Sequence, residues 1–195
     1  MASVAASQTE TEQPLSRWQL HWFRFDTKAI VGAVLLGVVM VLIQEITERV
    51  DTAITGGTWF PLAGGTHSTV LVLSSIFYRL PGAWITGEMN AIAAVIFDNT
   101  PVGPAFAFNN FIYPIIAVAI TRFISMRKWW HYAVLLIPSI LIGYAPMIPI
   151  SSATFHMPLS LAAWFQGGTD LAAFIIALII AKPIADNIAR SGVVD

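Results

Sequence analysis

Residues 28–47, KAIVGAVLLGVVMVLIQEIT, decide the fold. This apolar run is about the 20 residues that a helix needs to cross a hydrocarbon core of about 30 Å. It is not isolated. Further apolar segments lie at about 66–80, 82–98, 103–124, 131–150 and 162–185. The predicted fold class is therefore all-α and integral to the membrane, a six-transmembrane-helix bundle. Composition agrees. Of 195 residues, 56% are hydrophobic and 11% charged, against about 25% charged in an average soluble domain. Mean hydropathy is +0.72.

The flanking segments read differently. Residues 1–15 are small and polar and predict a disordered tail. Residues 16–27, SRWQLHWFRFDT, mix aromatics with Arg17 and Arg24 and predict a short interfacial segment. No signal-peptide cleavage pattern precedes the first span, so it reads as retained. The chain thus divides into a tail and interfacial segment over 1–27 and a six-helix transmembrane domain over 28–195. Residues 48–66, ERVDTAITGGTWFPLAGGT, read as a loop with four glycines and Pro61. The second and third spans are short. Part of that loop is therefore expected at membrane depth, lining a cavity or covered by protein.

Charge sets the orientation. With the N-terminus in the cytoplasm, Arg17, Arg24, Lys28, Arg79, Arg122, Arg127, Lys128, Lys182 and Arg190 lie inside, and Arg49 alone lies outside. That asymmetry follows the positive-inside rule and supports an even number of spans, with both termini cytoplasmic. The expected location is the plasma membrane.

Polar residues within the spans are the candidate site, because charge in hydrocarbon costs at least about 2.5–3.5 kcal/mol per group. Glu88 shares a helical face with Trp84, Ala91 and Val95, while Asn90 lies nearly opposite. Two polar faces predict a third helix enclosed by others. In the fourth span Asn109 and Asn110 are one turn from Tyr113. In the sixth, Gln166 and Asp170 are i,i+4 neighbours. His67 opens the second span and His156 precedes the sixth. With Trp59, Phe60, Phe108, Trp164 and Phe165 these residues predict an aromatic-walled pocket for a small, flat, polar ligand in the outer half. The same Asn, Gln and Asp side chains also suit hydrogen bonds between helices, and the tryptophans suit an interfacial belt. Ala29, Ala33 and Gly37 form a small-residue stripe on the first span where a partner helix can approach, or where this chain packs on itself.

Several chemistries are excluded or unsupported. The chain has no cysteine, which removes thiol chemistry and Cys-ligated clusters. GxxxxGK[ST], HExxH and GxSxG are absent. No catalytic residue, metal site or cofactor is expected, and the chain reads as a non-enzyme. The two outer histidines are not a mid-membrane pair, which argues against haem. A net charge of −1 gives no reason to expect a nucleic-acid partner.

Four stretches carry a family resemblance: FDTKAIVGAV (25–34), RLPGAWITGEMNAIAA (79–94), NTPVGP (99–104) and KPIADNIARSGVV (182–194). Over residues 23–195 the chain resembles the substrate-binding S components of energy-coupling factor (ECF) vitamin transporters, most closely the YkoE type linked to thiamine or hydroxymethylpyrimidine. The resemblance implies a six-helix cradle for a vitamin near the outer face, with the first outer loop closing over it. It implies a transmembrane coupling subunit docked on Ala29 and Ala33, and two cytoplasmic ATPases that supply the energy. It places Glu88 at the family's helix-three carboxylate. The stretches GGTWFPLAGGTHS and PISSATFHMPLS depart from that pattern, so the ligand is not fixed by it. Two other classes stay open: a small ATPase-independent transporter or channel, and an accessory anchor subunit of a larger membrane enzyme complex.

Overall fold

A computed structural model describes residues 20–57, 59–97 and 103–192. The tail at 1–15, Arg17, Asp98 and most of NTPVGP lie outside the described residues. Among those described, every regular element is a helix: α1 Thr27–Thr55, α2 Pro61–Phe77, α3 Arg79–Ile96, α4 Gly103–Thr121, α5 Trp129–Tyr144, α6 Met147–Thr154 and α7 Leu159–Ser191. α1, α7 and the α5–α6 stretch are each long and apolar enough to cross a membrane, and Ala105–Thr121 is a shorter apolar helix. The chain is a membrane-embedded helical protein.

α1 begins where Asp26 accepts a hydrogen bond from the Ala29 amide (3.0 Å), the usual device for an orphan N–H. It stops at Gly56, whose φ of 68° is a left-handed cap. The expected loop at 48–66 is therefore corrected to 56–60. Residues 48–55 continue α1 and 61–66 open α2. The reason lies in Asp51. Its buried carboxylate accepts from the amides of Leu62 (3.2 Å) and Ala63 (2.8 Å), so α1 supplies the cap that starts α2. Gln44 adds to the seam, donating to Ala63 O (3.0 Å) and Thr66 Oγ1 (2.9 Å).

α2 occupies the centre. Every residue from His67 to Phe77 is buried, and α1, α3, α4, α5 and α7 all pack on it. Such a helix needs small polar groups that satisfy themselves. Thr69 Oγ1 donates to Gly65 O (2.7 Å), and Ser74 bonds Thr86 of α3 (2.8 Å). α7 comes close because Gly64 and Gly65 leave room. A Cβ on Gly65 would sit 2.6 Å from Ile176, and one on Gly64 would sit 2.8 Å from Thr169. Ala173 of α7 lies opposite Gly64, and Ala177, Ala181 and Ala185 continue the same fully buried stripe along α7.

The expected fifth span, 131–150, is two helices. Ala145 and Pro146 separate α5 from α6, as a proline without an N–H would. The described part of the expected interfacial segment, residues 20–26, packs on the helices. Arg24 N donates to Leu80 O (2.7 Å) and Leu80 N to Trp22 O (3.1 Å). The buried Arg24 guanidinium reaches Phe77 O (3.0 Å) and the Asp26 carboxylate (2.6 Å). Arg122 donates to Leu20 O and lies over the Trp22 ring. The segment is thus knitted across the α2–α3 junction rather than resting beside the bundle. The end containing that junction is the basic end, with Arg79 fully buried there and bonded to Ser75 O and Thr121 Oγ1.

Candidate functional site

At the opposite end, four helices aim polar side chains at one another. His67 of α2 lies with Nε2 2.8 Å from Asn110 Oδ1 of α4. The amide oxygen can only accept, so Nε2 carries the proton and Nδ1 faces Asn90 Nδ2 of α3 at 3.5 Å. Asn110 Nδ2 donates to Gly87 O of α3 (2.6 Å). That bond needs Gly87, since a Cβ there would stand 2.8 Å from the Asn110 side chain. Beside this set, Ser68 bonds the Tyr144 hydroxyl of α5 (2.9 Å) and Tyr113 OH of α4 donates to Ser68 O (3.5 Å). The rings of His67 and Tyr144 meet edge to face at 5.9 Å. All six side chains are buried. Asn109 is buried as well, with an Oδ1 that finds no donor among the described residues.

α7 closes the rim. Asp170 accepts from Gln166 Nε2 (2.7 Å) and lies within electrostatic reach of the Tyr144 hydroxyl. Trp59 lies over Gly168, where a Cβ would meet its ring at 3.2 Å. The turn that carries Trp59 is held by Thr55 Oγ1, which donates to Trp59 O (2.9 Å). Phe60 is partly exposed on the same turn.

The sequence-predicted residues therefore fall into three groups. His67, Asn109, Asn110 and Tyr113 are in the buried cluster. Trp59, Phe60, Gln166 and Asp170 are at its rim or beside it. Trp164 is 78% exposed, Phe108 and His156 are exposed as well, and Glu88 is half-buried away from the cluster. Two members, Ser68 and Tyr144, are not among the polar residues that the sequence singles out, whereas Asn90 is. Asn90 carried a signal, since it lies opposite Glu88 on α3. Tyr144 carried none, because a tyrosine at a helix end reads equally well as an interfacial anchor.

Two expectations are corrected by burial. α3 is not enclosed by other helices. Its inward face holds Thr86 and Asn90, while Ile92 and Val95, one turn or two from Glu88, are 57% and 46% exposed. Ala29, Ala33 and Gly37 are not a free stripe either, because α3 covers them. Thr86 Oγ1 donates to Ala33 O (2.9 Å), Gly82 lies against Ala33, and Gly37 lies against Met89. No family model, curated protein or solved structure matches the chain.

Proposed function

We propose that the chain is a substrate-capture subunit of an ATP-driven ECF-type importer. It takes a small polar vitamin or precursor, of the thiamine or hydroxymethylpyrimidine kind, from outside. The carrying observation is the convergence of His67, Asn90, Asn110, Ser68, Tyr113 and Tyr144 at one end of a membrane bundle, with Asp170 and Trp59 beside them. Donors and acceptors gathered at the mouth of an apolar bundle are what a flat heteroaromatic ligand requires.

In this reading α1, α2, α3, α4, the α5–α6 pair and α7 make six spans in the plasma membrane. The basic end faces the cytoplasm and the His67 cluster faces out. The Trp59 ring stacks on the ligand and Asp170 meets a cationic ring. Ligand would exchange for hydrogen bonds that the cluster now makes internally, so binding repacks the cluster instead of filling a rigid hole. With no P-loop in the sequence, ATP hydrolysis belongs to separate cytoplasmic ATPases, coupled through a transmembrane partner. With Ala29 and Ala33 under α3, that partner meets a different face of the bundle.

The test is a tryptophan-fluorescence titration of the purified chain with thiamine, hydroxymethylpyrimidine, riboflavin and biotin. The expected result is saturable quenching by one of them, weakened at least tenfold in Trp59→Phe and Asn110→Ala. A folded sample, free of co-purified ligand, that responds to none would remove this reading and favour an accessory membrane subunit.

A further inference from the structure

We propose that the outward face of α3 and α4 around Glu88 docks a transmembrane helix of a different protein, one that presents a Lys, Arg or His side chain to the Glu88 carboxylate. The proposal stands on the geometry of that face and does not rest on the transport reading.

Glu88 is seven residues beyond Pro81, where α3 becomes regular after the non-helical Leu80 at the basic end, so about 10 Å along the helix at 1.5 Å per residue. That is well inside a core about 30 Å thick. A glutamate is too short to carry its charge from there to water. It is half-buried at the margin of the outward face, between the exposed Ile92 and Val95 and the buried Ala91, while Thr86 and Asn90 point into the bundle. Among the described residues it makes no hydrogen bond and no ion pair. An ionisable group in hydrocarbon is retained where something pairs with it, and the described residues of this chain supply no such partner.

The surface beside it is shaped for a helix. Trp84 and Phe111 stack at 4.8 Å with rings 8° from parallel, and Trp84 Nε1 is held by Phe111 O at 3.0 Å. The indole is fixed, and its rings join α3 to α4 in one continuous platform. A cation that meets Glu88 can also approach an aromatic face.

A second copy of this chain does not fit. Arg24, Arg79 and Arg122 are engaged at the basic end, while Lys28, Arg127, Lys128, His131 and Arg190 stand at or beside the ends of α1, α5 and α7 and His156 on the α6–α7 turn, none of them midway along a helix. Lys182 is paired with Asp186 (2.5 Å), and Arg49 with Glu45 (3.1 Å). His67 is turned inward to Asn110. A symmetric dimer would set one Glu88 against another. The occupant is therefore a helix with its own mid-membrane cation.

The test places the photo-crosslinker benzoylphenylalanine at Ile92 of the full-length chain in its native membranes, with Leu42 on the exposed face of α1 as the control position. The expected result is one discrete adduct from Ile92 and not from Leu42, whose mapped segment is a transmembrane helix with a Lys, Arg or His. It falls at least tenfold in Glu88→Leu and Glu88→Lys, and returns when Glu88→Lys is combined with the partner's cation changed to Glu. Purified Glu88→Leu should melt no lower than the parent, because Glu88 has no bond to lose among the described residues. An adduct with a second copy, labelling of lipid alone, an adduct insensitive to Glu88→Leu, failure of the charge exchange, or a lowered melting temperature in Glu88→Leu would each overturn the proposal.

Discussion

His67 Nε2 and Asn110 Oδ1 lie 2.8 Å apart, both buried, and join the central helix to α4. Asn110 in turn holds Gly87 O, so one amide ties α2, α3 and α4 together. A buried donor left without its acceptor costs about 1–3 kcal/mol. Asn110→Leu should therefore lower the melting temperature of the purified protein by several degrees. His67→Ala should do the same. The double variant should lose less than the two losses added, since each single change already breaks the shared bond. A strictly additive pair, measured by thermal unfolding in one detergent, would show that the contact carries no coupling.

The same cluster marks where the sequence was readable and where it was not. His67, Asn110 and Tyr113 stood out because polar groups in apolar runs are few. Their partners did not, because Gly87 O and Ser68 O are backbone atoms with no side-chain signal. Glu88 and Asn90 show the limit of periodicity. Their opposed directions follow from 100° per residue, but which one faces the bundle depends on packing that only the fold supplies. The loop at 48–66 was misread for a related reason. Glu48, Arg49 and Asp51 resemble a chain leaving the membrane, whereas Asp51 is buried and caps a helix that begins ten residues later. The stripe Ala29–Ala33–Gly37 was visible as a close-packing face. That α3 fills it was not, and the stripe Ala173–Ala177–Ala181–Ala185 on α7 is an equally buried small-residue face.

Close packing of α2 on α7 leads to a contrast between two glycines. At Gly65 a new Cβ would meet the branched Cβ, Cγ2 and Cδ1 of Ile176 at 2.6–2.7 Å. Ile176 is stiff at χ1, and overpacking of this kind costs about 1–3 kcal/mol. At Gly37 the new Cβ would meet Met89 Sδ at 2.6 Å, and methionine can swing aside. Gly65→Ala should lower the melting temperature clearly, and Gly37→Ala should leave it within about a degree or two. Equal losses at both positions would mean that backbone separation, not side-chain adaptability, governs the two interfaces.

The basic end supplies a pH dependence. The Arg24 guanidinium, hydrogen-bonded to Asp26, holds that carboxylate below its ordinary 3.8, against the opposing effect of partial burial. A depressed carboxylate stabilises the fold only while ionised. Its contribution is complete above the unfolded value near 4 and is lost as pH falls through the lower folded value. Loss of the charge also weakens the cap on the Ala29 amide and the tether of Arg24, whose guanidinium reaches Phe77 O at the α2–α3 junction. Melting temperature should therefore drop between about pH 5 and pH 3 in the parent chain. Other carboxylates titrate over that range too, so the diagnostic quantity is the difference from Asp26→Asn. That variant should be the less stable of the two at pH 7, and the gap should shrink toward pH 3. A gap that stays constant with pH would place the role of Asp26 in shape and not in charge.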